Sequence, residues 1–249
     1  MKIAFIPVAV ALLTTSIVSC KKDNYAAPAT MLTGKIVYKG EALSFQRTLD
    51  RTNYRVRFEL RESGWGKTGP ITVPISQEGA FSAELFNGEY KLVFPADNIP
   101  FIMNQSVPLS QDTISVSLHG NKNMDIEVIP YYMIRDAAFA MSKTDSIVSG
   151  NFRLEQIITG ANAKNAERVF LYISRTPFVD DADKIAVTDL DASTITDFNN
   201  IHLSVKVPSS INNNYGTQIA EQKQVYARIG VKIADKDHLL FSQITKLDL

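Results

Sequence analysis

The chain has 249 residues, and its 26 basic and 26 acidic side chains give a formal net charge of zero at pH 7. That balance argues against nucleic-acid binding, which needs a basic surface, and gives no reason to expect attraction to anionic lipid through a basic patch. A hydrophobic content of 45% with 21% charged residues is ordinary for a globular chain. The length suits one large or two ordinary domains.

The N-terminal segment has the composition of a bacterial export signal. A lysine near the start supplies a positive charge, an apolar stretch follows, and small Ser19 stands before Cys20. A transmembrane helix is the alternative, but the apolar stretch is shorter than the roughly 20 residues of a span and contains Pro7. The run Ile17-Val18-Ser19-Cys20 resembles a lipobox. The resemblance implies that residues 1–19 are a lipoprotein signal peptide and that Cys20 is acylated.

Residues 20–30 are predicted to form a lipidated tether, because they are polar or small and show no apolar period. Acyl chains on Cys20 can anchor a protein without any segment crossing the bilayer. The opening Cys20-Lys21-Lys22-Asp23 resembles the start of surface-exposed lipoproteins of Bacteroidota, which implies an outer-membrane protein that faces the cell exterior. A lipoprotein that faces the periplasm is the alternative.

Residues 31–132 alternate apolar and polar side chains with the period of half-buried strands. In Tyr54–Arg61 the apolar side chains take one face and the charged ones the other, which no helix could arrange. Asn87-Gly88 lies between two more alternating runs, and Asn-Gly tolerates the positive φ angles of a tight hairpin. A polar turn at Gly120–Asn123 separates a further pair. This half is therefore predicted as a β-sandwich with a hairpin at Asn87-Gly88.

Residues 133–249 carry a second series of strand patterns, which is typical of an immunoglobulin or fibronectin sandwich. Strands are predicted at Ser149–Ile158, Val169–Ile173, Ile201–Val207, Gln224–Ile233 and Leu239–Leu247. Ala137–Ser142 is expected to form a brief irregular link. Two polar segments without alternation, Thr159–Arg168 and Asp189–Asn200, are expected to form helical turns or long loops. In the fourth strand, Arg228 falls on the polar face, opposite the apolar one.

Three segments carry a resemblance to known families. Gly34–Leu43 resembles the opening of the carboxypeptidase regulatory-like, transthyretin-like sandwich, and Gly79-Ala80-Phe81 with Gly88-Glu89-Tyr90 resembles that family's recurring hairpin of two strands. With the loop Phe178-Val179-Asp180, the chain resembles a two-domain lipoprotein family of unknown function encoded in Bacteroidota polysaccharide-utilisation loci. The resemblance implies the company of a TonB-dependent transporter and its glycan-binding lipoprotein, and no established activity.

The patterns and the resemblance together predict an all-β fold of two consecutive β-sandwich domains. Residues 31–132 are expected to form the transthyretin-like, carboxypeptidase regulatory-like sandwich, and residues 133–249 the immunoglobulin-like one. No repeat relates the two halves in sequence.

No catalytic constellation is recognisable in the sequence. The three histidines, His119, His202 and His238, are not at metal-ligand spacing to one another or to Cys20. Cys20 is the only cysteine and is consumed by the predicted anchor, which excludes both a disulfide and a cysteine nucleophile. No Gly-x-Ser-x-Gly elbow, Walker loop or Rossmann fingerprint occurs. The sequence predicts no enzyme, no cofactor and no metal.

Two weaker patterns concern modification and calcium. The run Asp180–Asp183, with Asp189 and Asp191 nearby, offers carboxylate oxygens for calcium but lacks the glycine and terminal Glu of an EF-hand loop, so a solvated loop is expected. Thr113 and Ser146 each lie in an Asp-Ser/Thr-aliphatic run that resembles an O-glycosylation acceptor of Bacteroidota. Composition alone produces about one such match in a chain of this length.

Two loop aromatics are the sequence's candidate ligand-binding residues. Trp65, the single tryptophan, lies in a glycine-rich loop between two strands, and Tyr215 lies in a second polar loop. The apolar face of a pyranose stacks on a flat ring while nearby polar groups bind its hydroxyls. A loop aromatic folded back over the end of a sandwich is the alternative for Trp65.

The sequence therefore favours a non-catalytic, surface-exposed outer-membrane lipoprotein that assists polysaccharide capture and uptake. A structural or scaffolding subunit that binds the transporter complex without touching sugar is the alternative. A hydrolase is the third hypothesis, and it would require a cleft with paired carboxylates.

Overall fold

The computed structural model describes residues 27–47, 56–62, 69–95, 99–103, 111–208 and 223–249. These residues lie mostly in strands, with short 3-10 turns at Gly160–Asn162 and Ala192–Thr194. The predicted signal peptide and most of the predicted tether fall outside the described ranges. Among the residues that are described, no helix has the length and apolar character to cross a membrane.

The first domain consists of two facing sheets. Its strands are β1 (Thr30–Tyr38), β2 (Glu41–Ala42), β3 (Ser44–Phe45), β4 (Arg57–Glu62), β5 (Ile71–Pro74), β6 (Ala80–Leu85), β7 (Gly88–Val93), β8 (Phe101–Ile102), β9 (Thr113–Leu118), β10 (Lys122–Asn123), β11 (Ile126–Glu127) and β12 (Ile129–Pro130). In one sheet β1 pairs in parallel with β10 and β11 and antiparallel with β2 and β6. The other sheet has the order β5-β4-β7-β9, and β8 pairs with β12.

The alternation predicted around β4 is confirmed in the described residues. Val56, Phe58 and Leu60 are buried, whereas Arg61 is exposed. The ring of Phe58 meets the ring of Phe81 from β6 edge-on, with centroids 5.0 Å apart. Because β4 and β6 belong to different sheets, this contact shows that the two sheets enclose a shared aromatic core.

The hairpin predicted at Asn87-Gly88 is wrong. β6 pairs with β1, whereas β7 pairs with β4 and β9, so the chain crosses from one sheet to the other at this point. Neither Asn87 nor Gly88 has a positive φ angle. The Asn87 side chain instead accepts hydrogen bonds from the Thr30 hydroxyl at 2.7 Å and from the Gly120 amide at 3.0 Å. Those bonds to distant segments favour the crossing over a local turn.

The second domain also consists of two sheets. Its strands are β13 (Tyr132–Ser142), β14 (Ile147–Gln156), β15 (Ala166–Ser174), β16 (Lys184–Asp191), β17 (Ile201–Lys206), β18 (Gln224–Ile233), β19 (Leu240–Phe241) and β20 (Thr245–Asp248). One sheet has the order β13-β14-β17, and the other has the order β16-β15-β18-β19-β3, with β20 also paired to β18. The predicted fold class, all-β with two consecutive sandwiches, is confirmed.

The irregular link predicted at Ala137–Ser142 is wrong, because this segment belongs to the long strand β13 and pairs with β14 from Ala138 onward. The irregularity is a bulge between Arg135 and Ala138, where Asp136 has a φ angle of +55°. A bulge of this kind interrupts the alternation of side chains while the strand continues.

The first predicted loop is correct up to Asn165, and the second is correct from Ala192 onward. Each contains a 3-10 turn, but β15 already begins at Ala166 and β16 continues to Asp191. The strand predicted at Leu239–Leu247 is split into β19 and β20. The sequence predicts no strand at β16, because β16 directly follows the acidic run Asp180–Asp183 and such a run indicates a loop.

The two sandwiches share structure at their junction. β3 of the first domain pairs with β19 of the second, with Phe45 opposite Leu240, so one sheet contains strands from both domains. Leu240 and Met133 pack in the core of the first domain, whereas Tyr131 packs in that of the second. This interlocking holds the domains more firmly than the polar contacts typical of mobile domain pairs.

Candidate functional site

The residues that the sequence singles out as sites, Cys20, Trp65 and Tyr215, all lie outside the described ranges. Lipidation at Cys20 and ligand contact at Trp65 and Tyr215 therefore stay predictions. Thr113 is exposed and Ser146 is half-buried, and glycosylation at either residue stays a prediction as well.

The histidines are dispersed over the molecule. His119 is exposed, with Nε2 3.7 Å from the Glu89 carboxylate, and His202 is exposed on β17, with Nδ1 2.8 Å from Asn151 Oδ1. His238 is buried beside β19. Within the part of the chain that the structure describes, no three His, Cys, Asp or Glu side chains are grouped so that they could hold a metal ion.

The acidic run forms an ion-pair network at the domain junction. Asp180 is completely buried and accepts a hydrogen bond from Arg47 Nε, in the first domain, at 3.1 Å. Asp183 pairs with the same guanidinium, and Asp181 lies 2.5 Å from Lys184 Nζ. The expectation of a solvated loop is therefore wrong for Asp180, whose charge is compensated by a cation from the other domain.

A groove of about 680 Å³ lies beside this network, between the first domain and the loop that follows β15. Its polar and aromatic lining consists of Arg47, Ser76, Gln77, Glu78, Phe81, Ser82 and Phe178. The size lies in the range of about 300–1,000 Å³ that ligand pockets occupy.

Phe178 provides the aromatic surface of the groove. Its side chain is 48% exposed, so a large part of the ring is available to a ligand. The guanidinium carbon of Arg47 lies 4.9 Å from the ring centroid, which is a cation–π contact. Because Asp180 and Asp183 hold the Arg47 guanidinium in place, its contact with the Phe178 ring restricts the position of the ring.

The loop that carries Phe178 is fixed by three hydrogen bonds. The amide of Thr176 donates to Ser174 Oγ at 3.2 Å, and the amide of Phe178 donates to Thr176 Oγ1 at 3.3 Å. From the first domain, Gln77 Nε2 donates to the carbonyl of Pro177 at 3.1 Å. Side chains that close turns in this way reduce the conformational freedom of the loop.

The opposite wall is a turn between β5 and β6. Ser76 Oγ accepts hydrogen bonds from the amides of Glu78 at 3.3 Å and Ala80 at 3.2 Å, and it donates to Glu78 Oε2 at 3.0 Å. Gly79 has a φ angle of +77°, and a Cβ at this position would lie 2.1 Å from the carbonyl oxygen of Leu43. Only glycine fits here, and it holds the turn against the first domain.

Arg228 of β18 lies at the base of the junction, with only 1% of its side chain exposed. Its Nε donates to the carbonyl of Ser242 at 2.8 Å, and its Nη2 donates to the carbonyl of Gln77 at 2.9 Å. The guanidinium carbon lies 4.3 Å from the Phe241 ring centroid. Burial lowers the pKa of Arg228 to about 9. The predicted polar face of β18 is therefore wrong at this position, because the first domain covers it.

The groove thus combines one exposed aromatic ring with hydroxyl, amide and carboxylate groups on rigid supports. Such a surface suits a ligand that has both apolar C–H faces and many hydroxyl groups.

Family models match both halves of the chain. Residues 30–129 match the N-terminal domain of the family described as "Protein of unknown function (DUF3823)", and residues 132–246 match "Domain of unknown function (DUF3823_C)". The chain belongs to the DUF3823 family. The resemblance stated from sequence is confirmed as a two-domain, all-β family.

Solved structures of DUF3823 proteins are similar along almost the whole chain. One from Bacteroides ovatus ATCC 8483 is 30% identical and covers 89% of this chain and 100% of its own, with a TM-score of 0.73. One from Parabacteroides merdae ATCC 43184 is 29% identical and covers 89% of this chain and 99% of its own, with a TM-score of 0.72. No curated protein matches the chain significantly.

A third solved structure shares the fold at lower identity. It is described as a candidate carbohydrate-binding protein from Bacteroides uniformis ATCC 8492, is 17% identical, and has a TM-score of 0.64 over 89% of this chain and 100% of its own.

In this DUF3823 protein, sequence reasoning missed Phe178 and Arg47 as site residues. Phe178 lies in the loop that carried the family resemblance, but a local pattern does not show exposure. The signal that could have found it is Ser174-x-Thr176-Pro177-Phe178, in which two hydroxyl residues can close successive turns beneath an aromatic.

Proposed function

We propose that this protein is a non-catalytic accessory lipoprotein that binds polysaccharide chains in the groove at its domain junction. The observation that carries the proposal is the exposed ring of Phe178, supported by the Arg47 guanidinium at 4.9 Å and facing the polar turn at Ser76–Gly79. A pyranose ring presents C–H groups on one face and hydroxyls at its edge, and this groove offers a partner for each.

The rigidity of the groove supports the proposal. Sugar binding from water gains little free energy per contact, so affinity depends on a site that is ordered before the ligand arrives. The loop of Phe178 and the turn of Glu78 are each held by side-chain-to-backbone hydrogen bonds. The candidate carbohydrate-binding protein from Bacteroides uniformis, which shares the fold, is consistent with such a role.

The pairing of the carboxylates supports a non-catalytic role. Glycoside hydrolysis ordinarily uses two carboxyl groups about 5–9.5 Å apart, both facing the scissile bond. Beside the groove, Asp180 is fully buried and Asp183 is paired with Arg47, so Glu78 is left as the carboxylate that lines the groove.

The cellular setting of the proposal is the outer membrane, with the chain anchored through lipid on Cys20 and facing the cell exterior. A TonB-dependent transporter and its glycan-binding lipoprotein are the proposed partners in uptake. Replacement of Cys20 by alanine in the native host should release the protein from the membrane fraction, and mass spectrometry of the wild-type N-terminus should find acyl chains on Cys20.

A scaffolding subunit is the second candidate function, and the interlocked junction favours it. The pairing of β3 with β19 joins the two sandwiches through one sheet, as a spacer between the transporter and its glycan-binding lipoprotein would require. In that case the protein would co-purify with the transporter but bind no glycan.

The test of the proposal is affinity electrophoresis of the chain from Lys21 to Leu249 through gels that contain plant, host or microbial polysaccharides. We expect retardation by at least one polysaccharide. Phe178→Ala should weaken it about tenfold, the effect of losing roughly 1–1.5 kcal/mol of stacking. The matched control is Phe86→Ala, because the Phe86 side chain is 50% exposed but belongs to a different loop.

The outcomes separate the candidates. Retardation that Phe178→Ala removes and Phe86→Ala leaves intact supports binding in the groove. Retardation that survives Phe178→Ala would move the site elsewhere, with Trp65→Ala and Tyr215→Ala as the next variants. No retardation by any polysaccharide would contradict the proposal and favour the scaffold.

A further inference from the structure

We infer that the groove selects neutral polysaccharides and rejects those built from uronic acids. The inference rests on the proposed function and adds to it the chemical class of the ligand. It follows from the charges at the groove and from the groups to which they are already bound.

The positive charge that lines the groove is already engaged. Arg47 donates from Nε to the buried Asp180 and contacts Asp183 through Nη2. A protein site for a carboxylate sugar normally presents an arginine fork or a lysine whose donors are free to bind the anion. Turning the Nε and Nη2 of Arg47 toward an anion would leave the fully buried Asp180 without its cation, which is a heavy penalty.

The opposite wall adds a negative charge. The Glu78 carboxylate lines the groove, is exposed, and accepts a hydrogen bond from the Ser76 hydroxyl. It is well suited to accept a hydrogen bond from a sugar hydroxyl, because a carboxylate has several lone pairs. Against a uronate it would be a like charge, which disfavours binding.

The buried cation of β18, Arg228, cannot approach a ligand. Arg228 is close enough to Glu78 and Asp180 for their negative charges to favour its protonated form. Arg228 is 1% exposed, however, and its Nε and Nη2 donate to the carbonyls of Ser242 and Gln77. The charged residues that line the groove are Arg47, which is bound by Asp180 and Asp183, and Glu78, so the lining offers an anion a like charge and an arginine that is already paired.

A neutral chain satisfies the same groups without this conflict. The Phe178 ring can stack on a C–H face, Glu78 can accept from a hydroxyl, and the Ser82 hydroxyl can donate or accept. The predicted ligand is accordingly a polysaccharide of hexoses or pentoses without carboxylate or sulfate substituents.

The experiment compares polysaccharides that share a backbone and differ in charge. The pairs are mannan with polymannuronate, methyl-esterified pectin with polygalacturonate, and hydroxyethylcellulose with carboxymethylcellulose. The chain from Lys21 to Leu249 is run by affinity electrophoresis, with mobility referenced to a gel without polysaccharide. We expect the neutral member of a recognised pair to bind at least tenfold more tightly, with little change between 50 and 500 mM NaCl because no ion pair forms.

Charge reversal on the turn sharpens the test. Glu78→Lys should raise the binding of the acidic member relative to the neutral one at least fivefold, and this gain should fade with salt. Glu167→Lys is the matched control, because it makes the same change of net charge at an exposed residue near the start of β15, away from the loop of Phe178. It should leave the ratio as in the wild type.

The outcomes distinguish this inference from the proposed function. Equal or tighter binding of the acidic members, lost in Phe178→Ala, would overturn the neutral class and keep the groove as a glycan site. A Glu78→Lys ratio equal to that of Glu167→Lys would also overturn the inference, because the groove charge would then play no part. Absence of binding to every member and to the wider panel would contradict both proposals.

Discussion

Two arginines cross the domain junction in opposite directions, and their surroundings differ. Arg47 extends from the first domain to Asp180 and Asp183 of the second, and its side chain is 23% exposed. Arg228 extends from the second domain to the carbonyl of Gln77 in the first, and its side chain is 1% exposed. Each guanidinium lies over an aromatic ring of the second domain.

The difference lies in what each arginine neutralises and what it supports. Arg228 donates to backbone carbonyls, its pKa is lowered by burial, and the ring beneath it, Phe241, is buried. Arg47 donates to carboxylates, and the ring beneath it, Phe178, is half-exposed. The contact of Arg228 therefore holds the two domains together, while the contact of Arg47 positions a surface for a ligand.

The largest expected effect comes from Arg228→Ala. Arg228 is the largest fully buried side chain in the described part of the chain, so its removal leaves a cavity. The Ser242 carbonyl loses its donor, whereas the Gln77 carbonyl still accepts from the Phe45 amide. We expect the free energy of unfolding to fall by about 3–4 kcal/mol. For a chain of this size, that corresponds to a loss of roughly 6–16 °C in Tm, measured by calorimetry or circular dichroism.

The control for that variant is Arg168→Ala. Arg168 is 44% exposed on β15 and pairs with Asp189 at the surface, so its loss should lower the Tm far less than the loss of Arg228. Equal losses of Tm in the two variants would show that the hydrogen bonds of Arg228 do not stabilise the domain junction.

Gly79→Ala tests the contact between Arg228 and Gln77 from the side of the first domain, because Gly79 ends the turn that carries Gln77. The added methyl group would meet the Leu43 carbonyl oxygen at 2.1 Å, at a φ angle of +77°. We expect a loss of about 2–3 kcal/mol in the free energy of unfolding, together with weaker glycan retardation.

Gly40→Ala is a close control for Gly79→Ala. Gly40 has a φ angle of +78°, but a Cβ there would have no atom within 4 Å. It should therefore show the backbone strain alone, about 1 kcal/mol, with unchanged glycan binding. If chemical denaturation gave both variants the same loss, the contact with Leu43 would have no role in placing the turn.

Loss of the contact between Arg47 and Asp180 should affect the stability of the protein less than it affects glycan binding. In a double-mutant cycle of Arg47→Ala and Asp180→Asn, we expect a coupling of about 1–2 kcal/mol in the free energy of unfolding. Arg47→Ala alone should also weaken glycan retardation, because the Phe178 ring loses its support. A coupling near zero would mean that Arg47 and Asp180 act independently despite the 3.1 Å hydrogen bond.

The strands could be predicted from sequence, but the junction could not, and Arg228 shows why. Period-2 alternation places Arg228 opposite Val225 and Ala227, and this part of the prediction is correct. Alternation assigns a residue to a face but does not state what covers that face. The turn that covers Arg228 is Ser76–Gly79, which is distant in the chain.

The same reason explains Asn87 and Phe178. Asn-Gly indicates a tight turn locally, yet the partners of the Asn87 side chain are Thr30 and Gly120, which only the folded topology brings near. Phe178 becomes a candidate binding surface because Arg47 and the groove are beside it. Contacts between distant segments decide these features, and a single sequence carries no record of them.

The smallest expected effect is a dependence of stability on pH through Tyr172, which packs near Phe241 and senses the charges of Asp180 and Asp181. Its ring lies 5.8 Å from that of Phe241, and burial, followed by the charges of Asp181 and Asp180, raises its pKa well above the usual value of 10. The folded state therefore favours the neutral phenol. The stability that this contributes is complete below about pH 10 and is lost as the pH rises toward the native pKa.

Tyr172→Phe keeps the ring and removes the titration, so it isolates this contribution. Between pH 10 and 11 the wild type should lose up to about 1 kcal/mol through Tyr172, or roughly 2–4 °C in Tm, that the variant does not lose. Differential scanning calorimetry at pH 9, 10 and 11 measures the difference. Parallel declines in the two proteins would mean that burial and the charges of Asp181 and Asp180 do not raise the pKa of Tyr172 in the folded state.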